Sequence, residues 1–313
     1  MIEHPWDEQI FSAPLAQVVD FEKQYGWFTS KRPLISCVTE ENDDVKLVEN
    51  LLKNVQCHEM PYLQKFITIH EIITKVLAYR TMSTGQIIEI PIETNRHAFT
   101  LEKYKVDKVF DLWNGMPAYG LLPVNAHENN TSILLYRGTD ASLKRKGSWS
   151  SLISDMDMQG PGYTVYMKAR DELTEWLKKC NQQNMPARVM GFSLGANLVY
   201  YTVLYDHELL AKDPMHASIA FNPPGITKKS FEIWKSQDTN EQPIVVGVVT
   251  KNDLVSLVGF LIGELYEVST KEKRQSLHAH VELISARPAF SLTPYDLYKH
   301  KFFLRKDIDK LDK

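Results

Sequence analysis

The residues Gly191-Phe192-Ser193-Leu194-Gly195 follow the spacing G-x-S-x-G, which can turn a serine into a nucleophile. A serine hydroxyl attacks only when its oxygen stands clear of the backbone and a base can take its proton. A sharp turn from strand to helix lifts it clear. Glycines two residues to either side keep side chains from colliding in that turn. The flanks suit this, since Arg188-Val189-Met190 reads as a strand end and Ala196 to Tyr200 as a helix start. A helix beginning there directs free N–H groups and its positive dipole end toward an oxyanion. The N–H of Leu194, the residue after the nucleophile, is the expected first donor. Without partners, the same five residues would be only a glycine-rich turn.

The partners must be a histidine and a carboxylate that orients it. In α/β-hydrolases they follow the serine in the order acid, then histidine. Asp253 follows the apolar run Ile244 to Val249 in the loop Thr250-Lys251-Asn252-Asp253. A carboxylate just past the C-terminal end of a strand lies on the edge where sites of open α/β sheets form. Asp213 is a rival acid, but it precedes a strand and belongs to the opposite edge. His278 and His280 both follow Asp253. His280 is preferred because the helical-looking Val281-Glu282-Leu283-Ile284 begins directly after it; His278 stays as the alternate and His300 as a third choice. A second oxyanion donor is expected from the loop after the apolar run Ser132 to Tyr136, where Thr139 is the best placed.

Those residues can converge only if the chain supplies a sheet. From about residue 100, short β-rich runs alternate with helical ones: 106–112, 118–124, 132–136, 186–191, 217–221, 244–250 and 264–268 read as strands. Asn114-Gly115 marks a turn between the first two. Apolar runs separated by helices imply a mostly parallel sheet with helices on both faces. Residues 1–100 read as mostly helical, with Ile87 to Ile92 a short extended segment. The expected organisation is an N-terminal helical extension over 1–100 and an α/β catalytic domain over 101–313.

Composition narrows the function. With 43% hydrophobic residues, 24% charged residues and a formal net charge of -3, the chain is ordinary for a soluble globular protein and has no basic excess for nucleic acid. Its N-terminus has no basic start before an apolar core, so a Sec signal is not expected. The three cysteines are scattered and odd in number, which favours a reducing compartment. The expectation is a cytoplasmic protein, or one exported without a cleaved Sec signal. His70-Glu71-Ile72-Ile73-Thr74 begins like the zinc motif H-E-x-x-H but places Thr74 at the second ligand position.

At these residues the chain resembles the class 3 lipases of the α/β-hydrolase superfamily, over about residues 105–285. Tyr136-Arg137-Gly138-Thr139 is similar to their Phe-Arg-Gly-Thr strand end, and Asn252-Asp253-Leu254-Val255 to the context of their acid. Their elbow is Gly-His-Ser-Leu-Gly-Gly; here Phe192 replaces the histidine and Ala196 the last glycine. Trp149 and Asp155 could fill a Trp and Asp pair of the family's lid region. The resemblance implies hydrolysis of carboxylic esters, lipid or acylglycerol and phospholipid esters above all, through Ser193, Asp253 and His280, with no cofactor or metal. Residues 254–262 and 140–162 are candidate lids, the first weighed against a buried connector, and transient contact with a membrane surface would follow from either. An acyltransferase with the same three residues and a non-catalytic binding protein on a hydrolase scaffold are the alternatives.

Overall fold

A computed structural model describes residues 62–95, 98–112, 116–125, 131–139, 160–238, 242–253, 255–257, 259–270, 280 and 290–294. The apolar runs become strands β1 (Ile87–Asn95), β2 (Ala98–Leu112), β3 (Met116–Pro123), β4 (Ser132–Tyr136), β5 (Ala187–Phe192), β6 (Ser218–Phe221), β7 (Val245–Thr250), β8 (Glu264–Thr270) and β9 (Phe290–Pro294). They form one nine-stranded sheet whose spatial order is the chain order. From β4 to β8 neighbours pair in parallel. The β1–β4 meander and the final β9 are antiparallel. The parallel part is thus the central five strands, and Glu264–Thr270 is not the last strand.

Among the described residues there are four α-helices: α1 (Tyr62–Lys75), α2 (Tyr163–Gln182), α3 (Leu194–Tyr205) and α4 (Lys228–Ser236). Helices α2, α3 and α4 link β4 to β5, β5 to β6 and β6 to β7. Since the order never reverses, right-handed crossovers place all three on one face. Leu134, Tyr136, Val189, Ala220 and Val249 share a core with α2 and α3 there, joined by Phe231 and Trp234 of α4. The alternate strand residues Ile133, Leu135, Met190, Phe192, Ile219, Phe221, Val246 and Val248 point to the other face. Both sets are buried, so the central strands are apolar throughout.

Among the described residues, α1 is the α-helix that packs on that other face. Its Phe66, Ile69, Ile72 and Ile73 cover it, and the helix packs on β1, β5 and β6. The described residues do not support the expected N-terminal helical extension. Residues 1–61 lie outside the described residues, 62–75 form part of the sheet's own core, and 87–95 and 98–100 are strand. The boundary expected at residue 100 falls inside β2, because Ile90 and Ile92 bury against the same core. No described helix is long and apolar enough to cross a membrane.

Candidate active site

Strand β5 ends at Phe192 and α3 begins at Leu194, so Ser193 alone makes the turn between them. It does so at φ 56° and ψ −125°, a conformation that costs a non-glycine residue energy and persists only when its surroundings enforce it. The enforcing contacts are steric. A Cβ on Gly191 would lie 2.4 Å from the backbone of Gly195, and one on Gly195 would lie 2.9 Å from the carbonyl oxygen of Tyr136. The Ser193 N–H donates to Phe221 O at 2.9 Å, which ties the turn to the end of β6.

Above this turn the structure brings together three of the residues expected from the sequence. His280 Nε2 lies 2.8 Å from Ser193 Oγ, and His280 Nδ1 lies 2.9 Å from Asp253 Oδ2. A carboxylate accepts only, so Nδ1 carries the proton and Nε2 is the acceptor facing the serine hydroxyl. Ser193 is 1% exposed, Asp253 1% and His280 0%. Asp253 sits three residues beyond β7, on the same sheet edge as Ser193. Its Oδ1 accepts from the Val255 N–H at 2.9 Å, and its Oδ2 also from the Ser256 hydroxyl at 2.7 Å. These bonds compensate a carboxylate removed from water.

The loop after β4 reaches the serine. A Cβ on Gly138 would lie 2.5 Å from Phe192 O and 3.3 Å from Ser193 Cβ, so only glycine lets Arg137-Gly138-Thr139 approach this closely. The next hydroxyl, Thr139 Oγ1, is buried and has no hydrogen-bond partner among the described residues. Leu194 is the first residue of α3, where an N–H has no acceptor within its own helix. The Arg137 guanidinium packs over the Tyr79 ring at 5.0 Å.

Other expected residues fall elsewhere. Asp213 is exposed and caps a short 3₁₀ turn by accepting from the Met215 N–H, before β6 and away from the serine. His278, His300, Trp149 and Asp155 lie outside the described residues. Of the first candidate lid, 255–257 form a 3₁₀ turn, and Phe260, Leu261 and Ile262 are buried in the core shared with α2 and α3. The described part of that segment is a buried connector. Of the second, only residues 160–162 are described. Among the described residues no group of three or more His, Cys, Asp or Glu could hold a metal ion.

Three contributors escaped the sequence reading. Phe192 stacks on the His280 ring at 5.0 Å between centroids, a role invisible in the x of G-x-S-x-G. Ser256 was legible in principle, as a hydroxyl three residues past a loop aspartate. Asn222, fully buried with φ 47°, donates from Nδ2 to the His280 carbonyl at 2.7 Å. Its signal was a left-handed-tolerant polar residue directly after a buried parallel strand.

No family model and no curated protein matches the chain. Among solved structures it is similar to a Rhizomucor miehei lipase–propeptide complex, at 16% identity and TM-score 0.40, over 53% of this chain and 57% of that one. It is similar to lipase II from Rhizopus niveus at 17% identity and TM-score 0.39, over 54% and 67% of the two chains. For a triacylglycerol lipase from Penicillium expansum the values are 17%, 0.36, 53% and 70%. The similarity thus spans less than two thirds of the Rhizomucor lipase's length.

Proposed function

We propose that this protein is a serine hydrolase that cleaves carboxylic esters, those of lipids above all. One observation carries the reading: Ser193 Oγ, His280 and Asp253 form an unbroken hydrogen-bonded line at the strained end of β5. As Ser193 Oγ attacks the ester carbonyl, its proton passes to His280 Nε2, and the Asp253 carboxylate stabilises the imidazolium that results. The carbonyl oxygen becomes an oxyanion, with the Leu194 N–H and the Thr139 hydroxyl as its donors in this reading. Collapse of the tetrahedral intermediate releases the alcohol, protonated by His280. Water then repeats the sequence on the acyl-serine and frees the acid. The class 3 lipase motifs around Arg137-Gly138-Thr139 and Asn252-Asp253 support an acyl ester as substrate.

A fluorophosphonate probe tests the reading, because it reacts only with an activated serine. The wild type is expected to be labelled and Ser193→Ala not to be, with hydrolysis of p-nitrophenyl esters falling on the order of 10⁴-fold or more. A folded wild type that resists the probe would mean a binding protein on a hydrolase scaffold. A series of esters of increasing acyl length, with a monoglyceride and a phospholipid alongside, would then define the substrate.

A further inference from the structure

We propose that Asn222 is a positioning residue for this reaction, one amide that sets the base against the acid; the inference rests on the hydrolase reading above. The primary amide has a donor end and an acceptor end, and both are used. Nδ2 donates to the main-chain carbonyl of His280 at 2.7 Å. Oδ1 accepts from the Thr250 N–H at 2.9 Å and faces its hydroxyl at 3.2 Å. The backbone N–H of Asn222 donates to Val248 O at 2.7 Å. Asn222 follows Phe221 at the end of β6, and Thr250 is the last residue of β7, three before Asp253.

The consequence is geometric. His280 is far in sequence from both partners, and its ring is held by Asp253, by Ser193 and by the stack on Phe192. Of these, the bond to Ser193 must break and re-form during turnover. Asn222 grips the same residue by its backbone, while its other end grips the strand that delivers Asp253. A single rigid group thus fixes the spacing between the carboxylate and the imidazole. The left-handed backbone at φ 47° aims the amide there, at a cost that asparagine bears better than most residues. Misplacing a reacting group by about 1 Å can cost on the order of 10²-fold in rate.

The test compares the full chain with Asn222→Gly and Asn222→Asp. Glycine keeps the backbone conformation and deletes both bonds. Aspartate keeps the acceptor for Thr250 but sets a carboxylate oxygen against the His280 carbonyl. For both, kcat on a soluble p-nitrophenyl ester is expected to fall on the order of 10²-fold with KM unchanged. The far-downfield proton signal of the His280 Nδ1–H is expected to broaden or vanish. Wild-type kcat in both variants overturns the inference. So does a rate loss that merely tracks the unfolded fraction while the Nδ1–H signal stays in place, and so does failure of both variants to fold. Wild-type protein that does not react with the fluorophosphonate at Ser193 sinks the hydrolase reading; reactive wild type with unaffected Asn222 variants sinks this inference alone.

Discussion

His70 and His280 are both almost wholly buried, at 1% and 0% exposure, and both have two engaged ring nitrogens, yet their partners are of opposite kinds. His70 sits on α1, where Nδ1–H donates to Phe66 O at 2.7 Å and Nε2 faces a guanidinium nitrogen of Arg188 at 3.2 Å. Burial, and then the Arg188 charge, push its pKa down to about 3. His280 has the same pattern with each partner exchanged: a carboxylate behind Nδ1 in place of a carbonyl, and a hydroxyl before Nε2 in place of a cation. Arg188 is the second residue of β5 and Ser193 follows its end, so one strand carries both arrangements. Burial alone makes a structural histidine. In the proposed function, an anion behind the ring and a removable proton before it are what make His280 a base.

Erasing the anion breaks the contrast with the largest effect. In Asp253→Asn, the side-chain amide can donate to Nδ1 and force the proton onto Nε2, leaving no acceptor for the serine. The kcat for ester hydrolysis is expected to fall on the order of 10⁴-fold, while thermal unfolding still reports a folded protein. A variant with more than a tenth of wild-type kcat would leave His280 as inert as His70. On the far side of the serine, Thr139→Val removes the unpartnered hydroxyl and keeps the branched shape. A kcat loss on the order of 10²-fold is expected, and an unchanged kcat would remove that hydroxyl from the oxyanion site.

The smallest effect concerns His70 and is read as stability. In the unfolded chain a histidine titrates near pH 6.5, whereas folded His70 stays neutral until about pH 3. Between those values the unfolded state binds the extra proton. The contribution is therefore complete above pH 6.5 and is lost as pH falls toward 3, at up to about 1.4 kcal/mol per pH unit. Urea unfolding at a series of pH values checks this slope, and His70→Gln, which cannot titrate, is expected to flatten it. An equal slope in the variant would assign the acid sensitivity to other groups.

How far the site could be read in advance followed the range of the forces that build it. Ser193 was legible because the contacts that enforce its turn lie largely within five consecutive residues, where Gly191 and Gly195 leave no room for side chains. Asp253 was legible because the end of an apolar strand predicts a sheet edge. The choice between His280 and His278 was not, since nothing in the residues beside them says which faces Asp253. Asn222 was missed altogether, because its bonds join β6, β7 and the His280 main chain across the sheet. The role of α1 was missed for a similar reason: it falls in a stretch read as mostly helical, but which surface it covers depends on the strand order.

The amino-acid sequence by itself determined the periodic apolar runs, the glycine spacing that compels a strained serine, and the acidic loop after a strand. Those are short-range steric and solvation effects, which neighbouring residues settle among themselves. Only the tertiary structure decided that the crossovers all fall on one face, that α1 packs on the other, and that His280 meets both Ser193 and Asp253. Each of those outcomes depends on how distant strands line up, and hydrogen bonds of fixed length between buried groups can form only after that alignment exists.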